Sequence, residues 1–240
     1  MGRKVSVITL WLLIVLGIAA CRRASGPAVQ SETQTDTLAT QPTDTLQTRQ
    51  VITVLVLGNS LAAGYGLSPA EAFPALLQRK VDSLGWPVRI LNAGVSGETS
   101  AGGLRRIDWL LRERIDILIL ELGANDGLRG IDPEITRRNL QGIIDKVRDR
   151  YPEADIILAG MQMPPNLGPD YTAAFQAIYP DLARANRAHL IPFLLEGVGG
   201  VPELNQADGI HPTAQGQRIV AENVWRVLRP VLEARLATIV

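Results

Sequence analysis

Between residue 51 and the C-terminus, short runs of apolar, largely β-branched residues alternate with longer segments whose apolar residues recur at helical spacing. This alternation is typical of βαβ units, in which parallel strands are joined by helices that cover the sheet. The first, third and fourth runs are almost continuously apolar, as expected of strands buried on both faces. The predicted strands are 52–57, 88–92, 115–121, 155–161 and 190–193.

These elements predict an α/β fold, a three-layer α/β/α sandwich around a five-stranded parallel sheet. The clearest buried helical stripe consists of Leu140, Ile143, Ile144 and Val147. A last helix is predicted to start near Pro212 and to run towards Val231. In such sheets ligands bind outside the carboxyl ends of the strands, so the residues that follow the strands are the candidates for a functional site.

The start of the chain has the pattern of an export signal. Arg3 and Lys4 precede a mainly apolar run over 5–20, and the only cysteine of the chain, Cys21, follows it. The segment Ile18-Ala19-Ala20-Cys21 resembles a bacterial lipobox, which implies cleavage before the cysteine and its lipidation. A retained membrane-spanning helix is the alternative, although such a helix needs about 20 apolar residues.

The composition changes abruptly after this cysteine to Thr, Gln, Ser, Asp and Pro without an aromatic residue, which favours a flexible tether. The predicted organisation is a signal peptide over 1–20, a tether over 21–50 and a folded domain over 51–240. The lipobox resemblance implies an exported lipoprotein on the periplasmic side of the cell envelope, held to the membrane through Cys21. Because residue 22 is Arg and not Asp, the outer membrane is the expected location.

Charge and cysteine content exclude several classes of function. The chain has 24 Lys and Arg against 24 Asp and Glu, so it has no overall basic field that would hold a nucleic acid. One Cys excludes an intramolecular disulfide, and one Cys with two His cannot supply the ligands of a usual structural zinc site. We therefore expect no nucleic-acid partner and no metal.

Two polar segments follow predicted strands. Gly58-Asn59-Ser60-Leu61 comes after the first strand, where a serine at the start of a helix is either a nucleophile or an ordinary N-cap. Asn125 and Asp126 come after the third strand, where the asparagine amide is either a donor to an oxyanion or part of a turn.

A third polar segment, Asp208-Gly209-Ile210-His211-Pro212, precedes the last helix. The carboxylate three residues before His211 is able to hold its Nδ1, leaving Nε2 to face a nucleophile. A helix-capping loop is the alternative. The other histidine, His189, is expected to be a surface residue.

Together these segments resemble the four sequence blocks of the SGNH (GDSL) hydrolase family, in order and at compatible spacing. The blocks are Gly58-Asn59-Ser60-Leu61, Gly97, Gly123-Ala124-Asn125-Asp126 and Asp208-x-x-His211. The resemblance covers about residues 52–231 and is strongest to the bacterial thioesterase I/protease I/lysophospholipase L1 and arylesterase subgroup. It implies a flavodoxin-like SGNH fold and a serine esterase that needs no cofactor.

By this resemblance, Ser60 is the nucleophile, His211 the general base and Asp208 the residue that orients it. The oxyanion hole consists of the backbone N–H groups of Ser60 and Gly97 and the side chain of Asn125. Position 59 departs from the family pattern, which has Asp before the serine. That Asp is not the acid of the triad, so Asn59 leaves the triad intact but removes a charge beside the nucleophile, which bears on loop rigidity and on the pH profile.

The segment after the fourth strand resembles the acyl-binding loop of the family, and 127–130 is expected to face it. The residues expected to contact the acyl chain are Leu128, Met163, Pro164, Leu167 and Tyr171. For Met163 and Met161 the alternative is that they close the core below this loop. The expected partner is a small ester or a lysolipid, and the domain is expected to be a monomer.

Three other functions compete with this one. A nucleotide-binding protein is disfavoured because 58–66 matches neither GxxxxGK[ST] nor GxGxxG. A carbohydrate O-deacetylase on the same fold stays open as an enzymatic alternative. A non-catalytic surface-binding lipoprotein stays open in case Asn59 disables the site.

Overall fold

The computed structural model describes residues 51–239. The predicted signal peptide over 1–20, Cys21 and the tether over 21–50 lie outside this range. The described residues form a five-stranded, fully parallel sheet in the order β2-β1-β3-β4-β5. The strands are β1 (Ile52–Gly58), β2 (Val88–Gly94), β3 (Ile117–Glu121), β4 (Asp155–Ala159) and β5 (His189–Ile191). The predicted α/β fold is confirmed.

Two layers of helices cover the sheet. The helices are α1 (Ser60–Ala63), α2 (Phe73–Ser83), α3 (Ser100–Leu110), α4 (Ala124–Leu128), α5 (Pro133–Arg150), α6 (Pro169–Asn186) and α7 (Ala214–Ile239). The helix α2 packs against α7, whereas α3 and α6 pack against α5. The predicted stripe on α5 is buried, together with every residue of β1. None of the helices within 51–239 is long and apolar enough to cross a bilayer.

Every strand differs from its predicted range at one end or at both. The strands β1 and β2 continue to Gly58 and Gly94 and do not end at residues 57 and 92. The strand β3 starts at Ile117 and not at residue 115, and β4 ends at Ala159 and not at residue 161. The strand β5 spans His189–Ile191 and not 190–193, because Pro192 has no N–H to continue the ladder. Just after the end of β4, the N–H of Gly160 still donates a hydrogen bond to the carbonyl of Ile191.

The last helix also differs from its predicted range. It starts at Ala214 and continues through Pro230 to Ile239, well beyond Val231. Although Pro230 lacks an N–H, the next two residues, Val231 and Leu232, are buried in the core. Their packing keeps the helix continuous, because burial of two large apolar side chains offsets the lost hydrogen bond.

A tight turn at the carboxyl end of β1 brings the chain into α1. A Cβ atom on Gly58 would lie 2.5 Å from Glu121 Oε2 and 2.6 Å from the Cβ of Ala62. Only glycine therefore lets β1 approach β3 this closely while α1 starts beside it. This turn places Asn59 and Ser60 at the carboxyl edge of the sheet, where parallel α/β proteins bind ligands.

Candidate active site

Ser60 is the first residue of α1, and its side chain reaches the loop that precedes α7. Its Oγ lies 2.9 Å from Nε2 of His211. The other ring nitrogen of His211, Nδ1, lies 2.7 Å from Oδ2 of Asp208. Since an ionised carboxylate only accepts hydrogen bonds, Nδ1 carries the proton and Nε2 is left to accept from the serine hydroxyl. The fold thus brings together the three predicted residues, which are 151 and three positions apart in sequence.

Asp208 is held in its ionised form by its hydrogen bonds. The bond from His211, first of all, and then the N–H groups of His211 and Ile210, lower the pKa of Asp208 to about 2. Both N–H groups donate to Oδ1 at 3.0 Å, which leaves Oδ2 to the imidazole. Asp208 therefore keeps its charge at any pH at which His211 is able to act as a base.

The imidazole of His211 is also covered by an aromatic ring that the sequence analysis missed. The ring centroids of Tyr65 and His211 are 4.5 Å apart, with an interplanar angle of 37°. The side chain of Gln206 donates to the carbonyl of Tyr65 at 2.7 Å and to that of Pro212 at 3.1 Å. Gln206 thus ties the turn after α1 to the histidine loop, a contact across 141 positions that no local pattern signals.

Three donors face the same cleft as the serine hydroxyl. Ser60, Gly97 and Asn125 all line it. Within the described part of the chain, the N–H groups of Ser60 and Gly97 have no acceptor. One N–H of the Asn125 amide donates to the carbonyl of Glu98 at 2.9 Å, which leaves the second N–H for a ligand. These three groups are therefore able to donate to a developing oxyanion.

The cleft has a volume of about 540 Å³, within the range of small-molecule sites. Of the residues predicted to contact an acyl chain, Leu128, Met163 and Pro164 line it. It is also lined by Met161, Phe193, Leu195 and Ile210. Met161 and Met163 are 4% and 8% exposed, so they close the core and line the cleft at once.

Leu167 and Tyr171 were expected at this cleft, but neither lines it. The Tyr171 hydroxyl donates to the carbonyl of Ile131 at 2.7 Å, and its ring stacks on Phe175 at 6.3 Å. Leu167 packs against the core. The short 3₁₀ turn Pro165–Leu167 leads the chain into α6, and α6 turns the Tyr171 side chain towards α4 and the segment after it. Contact of Leu167 and Tyr171 with an acyl chain stays a prediction.

Two further titratable side chains, His189 and Glu121, lie outside the triad. His189 is half exposed and lies 3.9 Å from Asp155, away from the cleft, as its predicted surface position requires. Glu121, by contrast, is buried under the turn that carries Ser60, and burial raises its pKa to about 8. Within 51–239, no cluster of three or more His, Cys, Asp or Glu side chains has the arrangement of a metal site.

Two characterised bacterial proteins are similar to this chain in sequence. The chain is 45% identical over 181 residues to Esterase TesA of Pseudomonas aeruginosa, an alignment that covers 75% of this chain and 89% of that protein. It is 40% identical over 181 residues to Thioesterase 1/protease 1/lysophospholipase L1 of Escherichia coli K12, with 75% and 85% covered.

Solved structures agree with these relatives. The crystal structure of TesA superposes with a TM-score of 0.71 at 45% identity, covering 74% of this chain and 98% of that one. Psychrotrophic esterase EstA from Pseudoalteromonas sp. superposes with a TM-score of 0.71 at 35% identity, covering 75% and 98%. Residues 56–219, which include Ser60, Asp208 and His211, match the sequence pattern of one family. The chain belongs to the GDSL-like lipase/acylhydrolase family.

Proposed function

We propose that this chain hydrolyses carboxylic esters through an acyl ester on Ser60, with His211 as the general acid and base and Asp208 as the residue that orients it. The observation that carries the proposal is the continuous hydrogen-bonded chain from Ser60 Oγ to His211 Nε2, at 2.9 Å, and from His211 Nδ1 to Asp208, at 2.7 Å. The named relatives, an esterase and a thioesterase/lysophospholipase, catalyse reactions of the same class.

In the first half-reaction, Ser60 Oγ forms a bond to the carbonyl carbon of the ester while its proton moves to His211 Nε2. The carbonyl oxygen becomes an oxyanion, which the N–H groups of Ser60 and Gly97 and the Asn125 amide stabilise. Each such donor is worth about 3–4 kcal/mol in the transition state. The carbon–oxygen bond to the alcohol then breaks, and His211 gives its proton to the departing alkoxide.

In the second half-reaction, His211 takes a proton from water, and the hydroxyl group attacks the acyl ester. The same three donors stabilise the second oxyanion. When it collapses, the bond to Ser60 Oγ breaks, and His211 returns the proton to the serine. All protons pass between the substrate, water and residues of the chain, so the cycle needs no metal or organic cofactor.

We propose substrates with one aliphatic acyl chain, of which lysolipids are the physiological class. The cleft beside Ser60 is lined mainly by apolar side chains, and its mouth carries three exposed ones, Tyr65, Leu128 and Ile210. Met161 and Met163 add unbranched side chains that adapt to chains of different length. An acetyl group would leave most of this apolar surface in contact with water, which argues against a carbohydrate O-deacetylase.

A series of p-nitrophenyl esters tests this substrate class. We expect kcat/KM to rise at least about tenfold from acetyl to octanoyl, because each methylene that leaves water contributes up to about 0.8 kcal/mol. Leu128→Ser should weaken this preference without changing the acetyl rate, since Leu128 lines the cleft. Leu84→Ser is the matched control, because Leu84 is equally exposed, at 48% against 47%, but lies at the end of α2.

The opposite result supports another function. High activity on acetylated glycans together with no gain beyond the acetyl ester would favour the deacetylase. No hydrolysis of any ester in the series would favour a non-catalytic binding protein.

We also propose that the chain is exported and anchored through a lipid on Cys21. The support is the apolar run over 5–20 that ends at Ile18-Ala19-Ala20-Cys21. Expressed at full length in a bacterium that processes lipoproteins, the chain should sediment with membranes and incorporate labelled palmitate. Cys21→Ser should incorporate no label, and label in that variant or a soluble, unlabelled parent would contradict the anchor.

A further inference from the structure

The turn that carries Ser60 is built on two buried polar side chains. Asn59 and Glu121 are each 1% exposed, and they lie at the carboxyl ends of the neighbouring strands β1 and β3. Asn59 Nδ2 donates to Glu121 Oε1 at 2.7 Å. The backbone N–H groups of Asn59 and Ala62 donate to Glu121 Oε2 at 2.9 and 3.3 Å. One carboxylate therefore holds the turn on both sides of Ser60.

The orientation of the Asn59 amide is fixed by its other atom. Asn59 Oδ1 accepts from the N–H of Leu61 at 2.9 Å and lies 3.4 Å from Ser60 Oγ. If the amide turned over, its NH₂ group would face the N–H of Leu61, donor against donor. Consequently Nδ2 must point at Glu121, and all three partners of Glu121 are donors.

Three donors suit an ionised carboxylate better than a carboxylic acid. In a protonated Glu121 the oxygen that carries the proton is a weaker acceptor, and its O–H needs an acceptor that none of the three surrounding donors supplies. The positions of Asn59, Ala62 and Leu61 depend on these bonds. Protonation of Glu121 therefore loosens the turn that sets the direction of Ser60 Oγ.

We propose that Glu121 is a positioning residue for the nucleophile, which acts through Asn59 and only in its ionised form, so that Asn59 moves the working range of the enzyme to alkaline pH. This inference rests on the proposed role of Ser60. Glu121 touches neither substrate nor reacting atoms.

The surroundings of Glu121 act on its ionisation in opposite directions. Burial raises its pKa most, the N–H groups of Asn59 and Ala62 and the Asn59 amide lower it, and the like charge of Glu98, in the segment before α3, raises it again, so that the pKa lies at about 8. The Glu98 carboxylate is itself paired with Arg106, whose guanidinium is engaged there. On the side of α6, burial and then the charges of Glu121 and Asp126 raise the pKa of the Tyr179 phenol.

A carboxyl at position 59 changes this balance. In Asn59→Asp, the two facing acids share one proton, and the O–H of the introduced carboxyl donates to Glu121 as the amide does. Of such a pair, the first proton leaves at a lower pH than it leaves an isolated buried acid, and the second at a higher pH. The productive hydrogen-bond pattern then exists already at neutral pH and is lost only when the second proton leaves.

The test is the pH profile of kcat for the full-length chain, purified in detergent, from about pH 5 to pH 10. In the parent, kcat should show an upper rise through about pH 8, where Glu121 ionises. In Asn59→Asp the upper rise should move down by about one pH unit or more. Glu121→Gln should lack that rise and hold kcat at least about tenfold below the parent plateau, with KM nearly unchanged.

Two further variants complete the design. In the exchanged pair, Asn59→Asp with Glu121→Gln, the amide at 121 donates to the carboxylate at 59 and its oxygen accepts the two backbone N–H groups. The exchange should therefore recover kcat relative to Glu121→Gln. Gln215→Glu adds a negative charge at an exposed position on α7 and should keep the parent profile.

Superimposable profiles of the parent and Asn59→Asp would overturn the inference, as would an upper rise that survives in Glu121→Gln. If Glu121→Gln does not fold, Asn59→Asp decides the question alone. The melting temperature of the same variants, measured as a function of pH, follows the ionisation of the side chains at positions 59 and 121 independently of catalysis. A catalytically active Ser60→Ala variant would instead contradict the proposed function. It would not change how the melting temperature of the variants at positions 59 and 121 depends on pH.

Discussion

Replacing Ser60 with alanine is expected to lower kcat/KM for p-nitrophenyl esters by about 10⁴-fold or more. The hydroxyl that lies 2.9 Å from His211 Nε2 is then missing, so no acyl ester forms. The oxyanion donors and the cleft stay in place, and they leave only the residual rate of a positioned attack by water. Initial rates with the octanoyl ester, corrected for spontaneous hydrolysis, measure the effect.

The control for this substitution is Ser83→Ala, an exposed serine at the end of α2 that should keep the parent rate. A phosphonate ester should modify the Ser60 peptide of the parent, seen by mass spectrometry, and should leave Ser60→Ala unmodified. A Ser60→Ala variant that keeps more than about a tenth of the parent activity would rule out the serine mechanism.

The second large effect concerns stability. Burial raises the pKa of Glu121 from 4.5 to about 8, so between these values the unfolded chain has released a proton that the folded chain still binds. The free energy of unfolding therefore falls as pH rises through this window and becomes level above about pH 8. At about 1.4 kcal/mol per pH unit, the full loss from this one group is about 5 kcal/mol.

Glu121→Gln removes this titration. Denaturant unfolding of the parent and the variant at a series of pH values from about 5 to 9 gives the difference between the two stabilities, in which all other titrations cancel. We expect the free energy of unfolding of the variant to increase relative to that of the parent as pH rises. Glu203→Gln, at an exposed position, should run parallel to the parent. If the free energy of unfolding of Glu121→Gln also ran parallel to that of the parent across this pH range, the raised pKa of Glu121 would be contradicted.

The ionised form of Glu121 thus lowers the stability of the fold while it supports activity. This form costs the folded state free energy because the carboxylate is buried, yet it suits the three donors better than the acid does. Functional sites often store such costs, since a turn held by strong hydrogen bonds in a dry environment keeps its geometry during the reaction. Asn59, the departure from the family pattern, is the partner that makes the charge necessary.

The fold followed from the sequence because its signals are local. Apolar runs such as 52–57 and the stripe at Leu140 to Val147 each report on their own surroundings, and both lie in the core. Strand ends were less well predicted, since the end of β5 depends on pairing with β4 and on Pro192 as well as on its own apolar residues. The helix α7 ran past Pro230 because of core contacts made by Val231 and Leu232.

The site was predictable only in part, for the same physical reason. Short polar segments marked Ser60, Asn125 and His211, because reactive side chains sit at strand ends and helix starts whose residue types are restricted. Tyr65 over His211 and Gln206 across the two loops are contacts between distant segments, and no local pattern signals them. The positions of Leu167 and Tyr171 outside the lining of the cleft could not be predicted, because a position in a loop does not state which way the following helix turns a side chain.

The sequence by itself thus determined the α/β class, the order of the elements and the residues able to carry acyl transfer, since periodicity and residue chemistry are properties of short segments. Only the tertiary structure decided which of these residues meet, that the cleft is apolar and that Glu121 stands under the nucleophile turn. These facts depend on burial and on distances between segments such as β1 and β3, whose paired residues are 63 positions apart. The charge of Glu121 is set by that burial, which the sequence does not contain.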